Sequence, residues 1–67
     1  MSPKFSRREE QVINHLIAGG TVRTFAAEHG IKSKSVTTYL MRAKEKVSAS
    51  TTIQLCVIYL GIKWEMK

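Results

Sequence analysis

The sequence predicts an all-α fold, a four-helix domain filling residues 1–67. Three observations predict it. Apolar residues recur at three- and four-residue spacings, with no long alternating β-branched runs. Four glycines and one proline are all the strong breakers present, and three of those glycines punctuate the periodic segments. Hydrophobic residues make up 43% of the chain, which suits a packed core and argues against disorder. So short a chain has room for one domain with a small core. Partner contacts or a dimer interface would add to its stability.

Ser6-Arg7-Arg8-Glu9 is a capping-box pattern that opens a helix over 7–18. Val12, Ile13, Leu16 and Ile17 form its buried stripe. Gly19-Gly20 ends it, because glycine accepts the left-handed backbone found after helices. Thr21 caps a second helix over 22–29, with Phe25, Ala26, Val22 and His29 turned inward. Small Ala26 and Ala27 let another helix approach closely. Gly30 stops the helix and Ile31 anchors the turn.

Ser33 is the expected cap of a third helix over 34–47. Val36, Tyr39, Leu40, Ala43 and Val47 share the arc that faces the core. The opposite arc carries Lys34, Thr37, Thr38, Met41, Arg42 and Glu45. Residues 48–50 break the pattern, and Thr51 with Gln54 makes a second capping box. A fourth helix over 51–60 is apolar almost all round, with Ile53, Leu55, Cys56, Val57, Ile58, Tyr59 and Leu60. One face can pack on the other three helices, and the other needs a second chain or a further domain. Ile53, Leu55, Cys56, Ile58 and Tyr59 are the expected dimer contacts.

Eleven Lys and Arg oppose five Asp and Glu, a formal net charge of +6. Such a field suits nucleic acid, an anionic membrane or an acidic protein, or simply keeps a basic protein in solution. Cys56 is alone, so it forms no internal disulfide and reads as a small buried hydrophobe in a reducing compartment. The polar N-terminus is no signal peptide, and the longest apolar stretch, 53–62, is about half a bilayer span. A soluble, cytoplasmic protein is expected. His15 and His29 are too far apart for a local metal pair, and no ligand set surrounds them, so no metal or cofactor is expected. One cysteine and no nucleophile–base ordering argue against catalysis. Tyr59 and Trp64 read as core or interface residues, and Lys4 as part of a frayed end that can touch a minor groove.

The turn Glu28-His29-Gly30-Ile31-Lys32 places glycine where the chain reverses and an aliphatic residue directly after it. That is a helix-turn-helix signature. The first helix of such a pair braces the second, which can project into a major groove and present its N-terminal residues to base edges. Lys32 and Lys34 begin the third helix, where free backbone amides also favour phosphate. Arg42, Lys44 and Lys46 continue the charge. Arg23 and Arg7-Arg8 are placed for flanking backbone. Lys32, Lys44, Lys46 and Arg23 are the expected phosphate contacts. The competing reading is a solvated charged face on a helical core that never meets DNA.

Phe5-Ser6-Arg7-Arg8-Glu9, Gln11-Val12-Ile13, Leu16-Ile17-Ala18-Gly19, Phe25-Ala26, Ile31-Lys32, 35–40 and 46–49 follow one another in an order that resembles a known family. It is the LuxR-type (GerE-like) helix-turn-helix domain of bacterial transcription regulators. The similarity spans residues 5 to about 60 without gaps. The resemblance implies double-stranded DNA as partner, a homodimer or a heterodimer with a related regulator through the fourth helix, and no cofactor. It also implies that Thr37, Thr38 and Met41 face the groove, with Lys34 and Arg42 supplying more of the charge there; Ser35 is a further expected DNA contact. Where the family often carries Lys, this chain has Thr37 and Met41, and Thr52 stands in place of an Arg. Threonine can hydrogen-bond a base or phosphate, or set its methyl beside a thymine methyl. The stretch 35–46 is also similar to the recognition helix of sigma-factor region four. A protein-interaction module acting through the fourth helix is the alternative function.

Overall fold

The computed structural model describes residues 5–65, and side chains as far as Gly61; Lys4 and the Trp64 side chain lie outside the described residues. Four helices follow in order: α1 (Arg7–Ile17), α2 (Val22–His29), α3 (Ser33–Lys46) and α4 (Thr52–Glu65). No strand occurs among the described residues. No helix of the described residues is long and apolar enough to cross a membrane.

The helix starts are set locally. Ser6 accepts the Glu9 amide and Glu9 accepts the Ser6 amide, closing the expected capping box. Thr21 and Thr24 make an equivalent reciprocal cap on α2. At α4, Thr51 Oγ1 accepts the Gln54 amide at 3.0 Å, while Gln54 Oε1 accepts the amide of Ser50 rather than that of Thr51. Ser33 does not cap α3. It is the first helical residue, and Lys32 holds the cap position without a side-chain bond.

Three helix ends share one device. After α1, Gly19 (φ 99°) turns left-handed, and the Gly20 amide reaches back to the His15 carbonyl at 2.9 Å. After α2, Gly30 (φ 63°) does the same, with Ile31 bonding the Ala26 carbonyl at 3.0 Å. After α3 the left-handed residue is Ser48 (φ 57°), and Ala49 bonds the Lys44 carbonyl at 2.8 Å. Each is a Schellman closure that satisfies carbonyls left over at the helix end.

α4 runs five residues beyond the expected end at Leu60. A lone glycine, Gly61, costs a helix about 1 kcal/mol but does not stop it when neither proline nor a polar cap follows.

Phe5, Val12, Ile13, Phe25, Ala26, Val36, Leu40, Ala43, Leu55 and Tyr59 form one core drawn from all four helices. Full burial of each large member stabilises by roughly 1.5–3 kcal/mol. Leu16, Val22, Tyr39 and Val47 pack around its edge as expected. Ile17 does not; it lies exposed at the end of α1. His29 is exposed as a residue, yet its ring stacks on Phe25 with centroids 4.0 Å apart. α1 braces α2 and α3, and α4 rests on α1 and α3.

Candidate nucleic-acid interface

Burial of Val36, Leu40 and Ala43 fixes which way α3 faces. Residues half a turn away must point outward. Lys34, Thr37 and Met41 are exposed, Thr38 is half-buried, and Met41 keeps 53% of its surface in solvent. Their spacing of three and four residues puts them on one stripe. Glu45 continues that stripe one turn beyond Met41, exposed and acidic. The sequence placed Glu45 on this arc but gave it no role.

Both threonine hydroxyls are engaged by the helix itself. Thr37 Oγ1 donates to the Ser33 carbonyl at 3.1 Å, and Thr38 Oγ1 donates to the Lys34 carbonyl at 3.0 Å. Lys32, Ser33 and Lys34 are exposed at a helix start that carries no side-chain cap.

The remaining cations divide. Arg23 stands exposed in the first turn of α2, while Ser35 and Lys44 are half-buried on the flanks of α3. Arg42 is exposed but leans toward α1, where it lines a shallow depression with Ser6, Glu9, Tyr39, Glu45 and Lys46. Lys46, expected at a phosphate, instead gives its Nζ to Glu9 Oε1 at 2.7 Å. Its charge is therefore matched within the chain. Burial alone would raise the Glu9 carboxyl. The Lys46 hydrogen bond, the Ser6 amide and the charges of Lys46 and Arg42 outweigh burial and hold it below its ordinary value.

Two histidine contacts join α1 to α2. Arg8 Nη1 donates to His29 Nδ1 at 3.2 Å, in a shallow depression lined by Arg7, Arg8, Gln11 and His29. An arginine has no acceptor, so Nδ1 must be the unprotonated ring nitrogen there. His15 Nε2 lies 2.7 Å from Thr24 Oγ1, its Nδ1 is 4.0 Å from Glu28, and its ring meets Phe25 edge-on. Neither cluster was legible in the sequence, since Arg8 and His29 are 21 positions apart.

On α4 the residues expected at a dimer contact divide between the core and the surface. Leu55 and Tyr59 belong to the chain's own core, Tyr59 with its ring 5.7 Å from that of Phe5. Cys56 and Ile58 are half-buried, and burial pushes the Cys56 thiol up. The outward apolar stripe is Ile53, Val57 and Leu60, exposed by 78%, 63% and 47%.

A helix braced behind, a glycine turn, and a second helix carrying an exposed polar face define a helix-turn-helix domain. The chain belongs to the bacterial regulatory proteins of the luxR family, whose profile matches residues 3–59. It is a DNA-binding regulatory domain at the level of that family. No curated protein and no solved structure matches the chain.

Proposed function

We propose that this chain binds double-stranded DNA as a cytoplasmic transcription regulator, with α3 laid in the major groove. Lys34, Thr37, Thr38 and Met41 meet base edges. Lys32, Arg23, Arg42 and Lys44 approach phosphates, and Ser35 lies beside them. The observation that carries this reading is the α3 stripe: an outward face with two lysines at its uncapped start, held rigid by a fully buried inner face. Direct readout of a major groove requires such a face. A second copy pairs through Ile53, Val57 and Leu60 of α4.

A gel shift on random-sequence duplex at two salt concentrations tests the proposal. A chain of net charge +6 that contacts phosphates must bind more weakly as salt rises. Lys34→Ala should weaken binding at both. Binding that ignores salt and Lys34 removes the proposal.

The exposed α4 stripe favours one further reading, a module that pairs with or antagonises a larger regulator or RNA polymerase. In that case Ile53→Asp and Val57→Asp abolish function while α3 substitutions leave it intact.

A further inference from the structure

Threonine on a groove-facing helix can offer a hydroxyl or a methyl, and here the geometry chooses. A hydroxyl has one proton. Thr37 gives its proton to the Ser33 carbonyl and Thr38 gives its own to the Lys34 carbonyl. Each oxygen is folded back on the preceding turn of its own helix. At a tetrahedral Cβ, the methyl is then the branch that takes no part in the bond to the backbone. Met41 stands four residues after Thr37 and three after Thr38, so its exposed thioether neighbours both. Three methyl-bearing side chains therefore share the outward face within the first three turns of α3, between Lys34 at its start and Arg42 at its side.

The base edges of a major groove offer few complements to such a patch. Guanine O6 and N7, adenine N7 and thymine O4 all ask for a donor proton, and neither threonine has one to give; adenine N6 and cytosine N4 offer protons that only the remaining lone pairs of oxygens folded back on the helix could accept. The apolar feature present is the 5-methyl group of a pyrimidine. We propose that the Thr37–Thr38–Met41 cluster selects DNA by contact with pyrimidine 5-methyl groups, carried by thymine or by 5-methylcytosine, rather than by hydrogen bonds from the threonines. This rests on α3 being the groove helix.

The full chain is first used to enrich tight binders from a duplex pool with a randomised centre. The enriched duplex is then remade with deoxyuridine in place of each thymine in turn, which removes one methyl and nothing else. At one or more positions the loss should be about fourfold per methyl group. Remaking an affected T·A pair as C·G and then as 5-methylcytosine·G separates the two carriers. Recovery with the methylated base shows that the methyl suffices, and a persistent loss assigns the contact to thymine. Thr38→Ser keeps the hydroxyl and removes the methyl, so its thymine-over-uracil ratio should fall toward one. Equal affinity for the uracil and thymine duplexes at every position, with binding otherwise intact, overturns the methyl proposal alone. A chain that binds no duplex even at low salt overturns it together with the groove-helix reading.

Discussion

Replacing Glu9 with Gln isolates the one buried charge among the described residues. Glu9 is 4% exposed and does two jobs: it accepts the Ser6 amide at 3.0 Å and the Lys46 ammonium at 2.7 Å. Glutamine keeps an oxygen for Ser6 and loses the ion pair. A hydrogen bond to a charged group contributes about 1.5–3 kcal/mol. The Lys46 side chain is 40% exposed, so solvent screens its end of the pair and lowers that figure. A net loss of about 1–2 kcal/mol follows near neutral pH. A domain of this size is stable by roughly 3–10 kcal/mol, so the loss is a sizeable fraction and lowers Tm by about 5–15 °C. The pH dependence has a definite sign. The folded carboxyl lies below the ordinary glutamate value of 4.5, so its contribution is present above that pH and is lost as pH falls through the folded value. Thermal melts of both proteins, followed by helical circular dichroism at about pH 7 and again at about pH 3, measure it. The two curves should separate at neutral pH and converge in acid. Coincident melts at neutral pH, or a gap that persists unchanged in acid, refute the reasoning.

Three further substitutions have defined outcomes. Ser48→Gly relieves a left-handed backbone at a non-glycine residue and should raise stability by about 0.5–1 kcal/mol, read from the urea midpoint. Gly20→Ala should destabilise, because a Cβ there meets the His15 ring directly; melting should show it, and His15→Ala in the same chain should recover part of the loss. Glu45→Gln removes an acidic group from the α3 stripe and should tighten binding to random duplex severalfold at low salt, as measured by fluorescence anisotropy. An unchanged Kd would place Glu45 away from the DNA.

Much of the fold was legible because its signals are local. Glycines at 19 and 30 need left-handed backbone, Ser6 and Thr21 sit where helices begin, and apolar spacing names the inner faces of α2 and α3. Local signals also explain the misses. Ser33 looked like a cap, yet the chain extends through Lys32 and the helix starts one residue early. The fourth helix was expected to stop at Leu60, but a lone glycine at 61 costs a helix about 1 kcal/mol without ending it, and α4 runs on to Glu65. Helix four is apolar all round, so periodicity could not say that Leu55 and Tyr59 face inward while Ile53, Val57 and Leu60 face out. The candidate interface was legible as a set of residue types and not as contacts. That Lys46 belongs to Glu9, 37 positions earlier, and that both threonine hydroxyls turn back on α3, depends on three-dimensional proximity and rotamer, which spacing does not encode.

The most direct measurement is the affinity of the intact chain for random duplex across a salt series, repeated with Lys32→Ala. A phosphate-contacting α3 gives log affinity falling linearly with log salt, and the variant shortens the slope by about one unit. A flat line for the parent chain, or identical lines for both proteins, contradicts the placement of α3 on DNA.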